Sequence, residues 1–253
     1  MSFVYRLQPD AWLGGILERE AYTLALAQAG SDRPGTGFSG DFRPLRDLLH
    51  REVFVSAKVA VADLEACHAL ESLGFRLIDT NVQFEKTLPD RAMPPQGCLV
   101  RSAVPSDQEA VAGIAGSSII FSRFHLDPRI PRQVADLLKA EWTRNFFRGS
   151  RGQAMIVAEH EGTVAGFLQA LRPEPATLII DLIATDRRFQ RRGIASAMCR
   201  FLETLFPEAR RARVGTQVAN TPSLLLYTRL GYAFASAQYV FHHHGAGAGG
   251  GEP

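Results

Sequence analysis

The period of the apolar positions changes repeatedly along the second half of the chain, and each change marks an element. Cys98–Val104 (CLVRSAV) reads as an apolar strand, and Pro105–Gly116 holds an Asp-rich helix start. Arg132–Phe147 carries Val134, Leu137, Leu138, Trp142 and Phe146 at helical spacing. Ala154–Ala158 and Val164–Leu171 are strand-like, and the His160-Glu161-Gly162-Thr163 segment between them predicts a hairpin turn. Ala176–Ala184 (ATLIIDLIA) is a strongly apolar strand broken by Asp181, and Gly193–Phe206 predicts a helix with Ile194, Met198, Phe201, Leu202 and Leu205 on one face. Val214–Val218 is another strand. Pro222–Leu230 is a helix with proline in its first turn, ended by Gly231, and Tyr232–Phe241 closes with a strand. Strands interleaved with helices predict a mixed α/β layer fold.

Breaker residues divide the chain. Gln28–Phe42 is dense in Gly, Pro, Ser and Asp and predicts a loop. Pro89–Gly97 holds three prolines, which resist helix and central strand alike, so a domain boundary is expected near residue 95. Residues 1–95 are then a small N-terminal α/β domain and residues 96–241 the larger one. The segment 242–253 (HHHGAGAGGGEP) cannot bury a core and is expected to be a disordered tail, its His242, His243 and His244 a floppy end rather than a chelating group. The two parts also echo each other. Ala60–Phe84 and Gln217–Phe241 both read strand, helix, Leu-Gly-aromatic, strand, at a constant offset of 157 that pairs Gly74 with Gly231 and Phe84 with Phe241.

Composition narrows the function classes. Of 253 residues 46% are hydrophobic and 21% charged, with 28 Lys plus Arg against 26 Asp plus Glu, so no electrostatic footprint for nucleic acid or a membrane surface exists at this level. Cys67, Cys98 and Cys199 lie far apart without paired spacing, which argues against a disulfide framework and a structural zinc; no metal is expected. The N-terminal MSFVYRLQPD lacks the basic-then-apolar pattern of a signal peptide, and no apolar run approaches ~18 residues, so a cytoplasmic protein is expected.

The most informative chemistry lies between strand and helix, in Gln190-Arg191-Arg192-Gly193-Ile194-Ala195. A strand feeding a helix through a turn with glycine and a small residue exposes unpaired backbone N–H groups at the positive helix end, which suits a pyrophosphate. The segment is neither a Walker loop nor a dinucleotide fingerprint, since Gly-Lys-Ser/Thr and the three-glycine spacing are both absent. It resembles the coenzyme loop of the GNAT acyltransferase superfamily, Gln/Arg-x-x-Gly-x-Gly/Ala, and Asn220 with Tyr227-x-x-x-Gly231-Tyr232 downstream strengthens the resemblance.

That resemblance implies a GNAT fold: a central mixed, mostly antiparallel sheet flanked by helices, here preceded by a smaller α/β domain like a partial GNAT domain. It implies acetyl-CoA as cosubstrate. Gln190, Arg191, Arg192, Gly193, Ile194 and Ala195 would hold the pyrophosphate, Leu182, Ile183 and Ala184 would present backbone groups to the pantetheine arm, and Asn220 would hold the same arm. Tyr227 stands where the superfamily places its acid; the bland alternative is core packing beside Leu224, Leu225 and Leu226.

A narrower resemblance is to the family of dTDP-fucosamine acetyltransferase, which acts on nucleotide-linked amino sugars and carries a small N-terminal domain. Ser122-Arg123-Phe124, Thr216-Gln217-Val218 and Leu73-Gly74-Phe75-Arg76-Leu77-Ile78-Asp79 carry it. It implies Asp79 as the base that deprotonates the amine, where that family has Glu. Asp181, a lone carboxylate in an apolar strand, is the rival base on its own chemistry, because desolvation would raise its affinity for a proton. Ser122, Arg123, Phe124, His125 and Gln217 are the expected acceptor contacts, with a local turn network as the alternative for His125 and Asp127. The acceptor is expected to be a small-molecule amine such as a dTDP-amino sugar, and an exposed edge strand would permit a homodimer. Two rival functions stay open: a GNAT enzyme for a protein N-terminus, lysine or other small amine, and a non-catalytic acetyl-CoA sensor.

Overall fold

The computed structural model describes residues 3–28, 38–88 and 98–246, so the Pro89–Gly97 linker, most of the predicted Gln28–Phe42 loop and residues 247–253 lie outside the described residues. The chain forms β1 (Phe3–Pro9), α1 (Ala11–Leu17), β2 (Glu20–Gln28), α2 (Arg43–Leu49), β3 (Val53–Ala60), α3 (Leu64–Ser72), β4 (Arg76–Thr87), β5 (Leu99–Ser102), α4 (Gln108–Ser118), α5 (Arg123–Leu126) and α6 (Arg132–Phe147). It continues through β6 (Ala154–His160), β7 (Thr163–Glu174), β8 (Thr177–Thr185), α7 (Ile194–Leu205), β9 (Arg211–Gln217), α8 (Thr221–Arg229) and β10 (Ala233–His244).

Two compact units result. The first takes the described residues to Asn81, with Asp127–Arg129 and Ala237 onward; the second takes the described residues of Val82–Leu126 and Ile130–Ser236. In the first, β1 pairs antiparallel with β2 (Phe3 opposite Gln28), β2 runs parallel to β3, and β3 pairs antiparallel with the last part of β10 (Ser56 opposite His242). Leu24, Leu45, Leu70, Phe75 and Phe241 fill its core.

These units depart from the expected boundary near residue 95. Prolines mark where the backbone cannot be regular, whereas the division by packing falls inside β4 and β10, whose strand patterns run across it without interruption. The expected tail needs a second correction. His242, His243 and His244 are the last residues of β10, in register with β3, and His242 and His244 are buried. Three histidines heading a glycine-rich segment carry no local signal of burial, but here Asp127 Oδ2 lies within hydrogen-bond distance of both His242 and His244.

In the second unit the strand order is β9-β8-β7-β6-β5. The predicted hairpin joins β6 to β7 through Glu161 and Gly162, with φ of 52° and 74°. Val111, Ile114 and Ala115 of α4 pack with Met155, Val157 and Phe167. The neighbour of Phe167, Gly166, faces α7 instead, so strand alternation puts α4 and α7 on opposite faces. A Cβ on Gly166 would lie 2.9 Å from the Ala184 carbonyl oxygen, 3.1 Å from Ile194 Cγ2 and 3.2 Å from Met198 Cε. The missing side chain therefore lets the first turn of α7 sit directly on β7 and the end of β8.

The echo is reproduced element by element. Both ends of α3 and α8, and both ends of β4 and β10, differ by the same 157 residues. Asp63 caps α3 by accepting from Ala66 N–H at 3.1 Å, and Asn220 caps α8 from Ser223 N–H at 3.3 Å. Phe75 N–H donates to the Leu70 carbonyl and Tyr232 N–H to that of Tyr227, each at 3.0 Å.

Candidate active site

The site begins where two parallel strands part. β8 pairs with β9 only from Thr177 opposite Arg211 to Ile180 opposite Val214, yet β8 continues to Thr185 and β9 to Gln217. On the other side of β8, Gln169 of β7 pairs with Leu182 while Ala170 pairs with Ile180, which leaves Asp181 as the extra residue of a bulge. A bulge bends its strand and raises its twist, and β8 separates from β9 at this residue. A cleft of about 760 Å³ opens in the gap. Ile183, Ala184 and Thr185 line it from β8, Gln217 from the end of β9, Asn220 from the cap of α8, and Gln190, Arg191, Gly193, Ile194, Ala195 and Ser196 from the loop and the first turn of α7. The volume is that of a site for a sizeable small molecule.

The loop is built to meet an anion. Gly193 is the N-cap of α7 with φ 79° and ψ 0°, and no side chain caps the helix. The first helical bond is Ala197 N–H to the Gly193 carbonyl at 3.0 Å, so the N–H groups of Ile194, Ala195 and Ser196 precede it. These residues line the cleft, and the helix dipole adds partial positive charge there. A Cβ on Gly193 would meet nothing within 4 Å, so its backbone angle, not crowding, calls for glycine. Arg191, at φ 60°, also takes the left-handed turn. Gln190 Nε2 donates to the Thr185 carbonyl at 3.3 Å and ties the loop to the strand end. Arg192 points elsewhere, with Nη1 3.0 Å from His160 Nε2 and its guanidinium 5.9 Å from the Phe189 ring centre.

The other expected residues divide between cleft and core. Asn220 lines the cleft, and its side chain is also engaged by Ser223 N–H and, through Nδ2, by Thr216 Oγ1 at 3.2 Å. Leu182 packs against the α4 core instead of lining the cleft. Tyr227 follows Leu226, which lines the cleft, but is itself buried, its ring centre 6.2 Å from Phe84 and 5.7 Å from Tyr232. Burial, with a smaller contribution from nearby Cys199, pushes its hydroxyl pKa far above the ordinary tyrosine value. Burial likewise pushes the Cys199 thiol up to about 12.

Asp181 is not the isolated carboxylate expected from an apolar strand. Arg151 grips both its oxygens at 2.7 and 2.6 Å, Trp142 Nε1 donates at 2.9 Å and Gln169 Nε2 at 3.2 Å. With its lone pairs so engaged, it is a bound counter-ion at the bulge. Asp79 lies on β4 in the first unit and is buried.

Ser122, His125 and Asp136 form a chain, Ser122 Oγ to His125 Nδ1 at 2.6 Å and His125 Nε2 to Asp136 Oδ1 at 2.9 Å. Burial lowers the His125 pKa more than Asp136 raises it. Phe124 is buried, with the Arg123 guanidinium 4.5 Å from its ring centre. None of Ser122, Arg123, Phe124 and His125 lines the cleft; the preceding Ser118, Ile119, Ile120 and Phe121 do. Pro222, Ser223, Leu226 and Arg229 also line it and went unpredicted, although their helical spacing marks one face of α8.

A bulged strand parting from its parallel neighbour over an uncapped helix start is the arrangement of the GNAT fold. Residues 119–232 match the acetyltransferase (GNAT) family, and this part of the chain is a GNAT acetyltransferase domain. The chain is similar to spore coat polysaccharide biosynthesis protein SpsD of Bacillus subtilis, at 28% identity over 93% of this chain and 81% of that protein. It is similar to dTDP-fucosamine acetyltransferase of Escherichia coli, at 28% identity over 73% of this chain and 79% of that protein. Among solved structures, a GCN5-related N-acetyltransferase from Sphaerobacter thermophilus shares the fold, with a TM-score of 0.60 at 14% identity, over 96% of this chain and 76% of that one. Among the described residues no helix is long and apolar enough to cross a membrane.

Proposed function

We propose that the protein transfers an acetyl group from acetyl-CoA, by direct attack, to the primary amine of a nucleotide-linked amino sugar. The carrying observation is the cleft between β8 and β9, with the uncapped start of α7 at its end. The N–H groups of Ile194, Ala195 and Ser196 hold the diphosphate, with Gln190 and Arg191 beside them. The pantetheine arm runs along Ile183 and Ala184, whose backbone groups on the β9 side lie beyond the last β8–β9 pair and supply partners for its amides. A backbone N–H near Ile183 then meets the thioester oxygen as negative charge develops on it.

Acid assistance falls to Tyr227. A free tyrosine at about 10 is already a weaker acid than a thiol at about 8.5, and burial raises Tyr227 further. It therefore acts on the leaving thiolate by donating a hydrogen bond, and passes on its proton only as the thiol forms. Arg151 holds both oxygens of Asp181, which argues against Asp181 as the base. The sugar acceptor is supported by the two named relatives, one in polysaccharide biosynthesis and one an acetyltransferase for dTDP-fucosamine. A thiol-release assay with acetyl-CoA and an amine panel tests the reading. Turnover is expected with dTDP-amino sugars; turnover confined to peptides or polyamines would replace the acceptor.

A further inference from the structure

We infer that Asp127, His242 and His244 form a binding site for a divalent transition-metal ion, Zn2+ by its ligand set. Among the described residues this is the one group of three potential metal ligands that converges, its ligand atoms all within 4.8 Å of one another. His242 Nδ1 lies 2.6 Å and His244 Nε2 2.7 Å from the same oxygen, Asp127 Oδ2. The side chains are 0%, 4% and 1% exposed for His242, His244 and Asp127.

The convergence is built from the backbone upward. Residues two apart on a strand share a face, so β10 presents His242 and His244 together and turns His243 the other way, to the Leu49 carbonyl at 2.9 Å. Asp127 is held in place from behind, since Arg129 N–H donates to its other oxygen at 2.9 Å. Phe54 closes the site with its ring, 4.8 Å from the His242 ring centre and 5.1 Å from that of His244. Hydrogen bonding alone uses the group poorly: two imidazoles compete for one oxygen, and His244 Nδ1, itself buried, has no partner among the described residues.

Two imidazoles and a carboxylate are a common ligand set for zinc, which takes such donors at about 2.0–2.2 Å in a tetrahedron, the fourth place going to water. On binding, the ring hydrogens now directed at Oδ2 move to the far ring nitrogens, so each imidazole stays neutral while its lone pair meets the ion. Thiolate is absent from the set, which favours zinc over softer ions such as copper(I). The site lies away from the coenzyme loop in sequence and uses none of the residues assigned to acetyl transfer, so its role is to fix the end of β10.

Untagged full-length protein, stripped with EDTA and dialysed against a small excess of ZnCl2, is expected to retain one zinc per chain by mass spectrometry of the metal. Thermal unfolding should shift upward with ZnCl2 and return with EDTA. Asp127→Asn, which keeps the side chain's shape, should lose the ion, while His68→Ala on the exposed side of α3 should keep it. Should Asp127→Asn not fold, crystals of the wild-type protein measured on both sides of the zinc absorption edge decide the matter. An anomalous peak between the three ligand atoms supports the site. A folded wild-type protein that takes up no zinc, an ion retained by folded Asp127→Asn, or a peak placed elsewhere overturns it.

Discussion

At the scale of single residues, the chemistry turns on which polar side chains are already engaged. Asp181 is fully engaged, so Asp181→Ala removes the partner of a charged Arg151 and of the Trp142 indole. The expected result is a loss of about 3 kcal/mol in stability by urea unfolding. Tyr227→Phe should lower kcat by roughly 100-fold while leaving the KM for acetyl-CoA nearly unchanged; equal kcat in steady-state assays would make Tyr227 a core residue only. Because burial raises the Tyr227 pKa, its hydroxyl stays protonated through neutral pH, and no alkaline loss of rate below about pH 10 should trace to it. The coenzyme loop was legible from residues 190–195 because a glycine-led strand-to-helix turn has a local signature. The pairing of Asp181 with Arg151 was not, since the partners are thirty positions apart and meet only once β8 is bulged.

At the scale of elements, the position of α7 decides the site. Gly166 is the point where the helix rests on the sheet, and the atoms a Cβ would meet include a backbone carbonyl that cannot swing away. Gly166→Ala should push the start of α7 off the sheet, costing roughly 1–3 kcal/mol in thermal or urea unfolding and raising the KM for acetyl-CoA. Most elements of the second unit were readable from period alone: α6 spans Arg132–Phe147 as its apolar spacing requires, and β8 and α7 begin and end within one residue of expectation. The bulge was invisible, because one extra residue in an apolar run leaves no mark on composition. The end of β10 was misread for the opposite reason: three histidines and a glycine-rich stretch look like solvent-facing chain until Asp127 is known to lie against them.

At the scale of the whole molecule, stability should carry the imprint of part-buried ion pairs. Arg101 forks onto Asp107 at 2.7 and 2.9 Å, and Val104 N–H adds a third bond to the same carboxylate at 2.8 Å. The hydrogen bonds from Arg101 hold the Asp107 pKa below its ordinary value. A group depressed on folding contributes fully above its unfolded pKa, about 3.9, and loses that contribution as pH falls through its folded value. Asp107→Asn should therefore cost about 2 kcal/mol at pH 7 and progressively less below pH 4, measured by urea unfolding across that range. Near-neutral net charge gave no hint of this pair, since composition counts charges without saying which meet.

The central claim is that the parted strands and the bare start of α7 bind acetyl-CoA, and calorimetric titration of the purified protein reads it directly. The wild-type chain should bind acetyl-CoA and CoA at one site, and Gly193→Val, whose branched side chain opposes a φ of 79°, should weaken both at least tenfold. Absence of heat with either ligand, or equal affinity in the folded variant, would contradict the account.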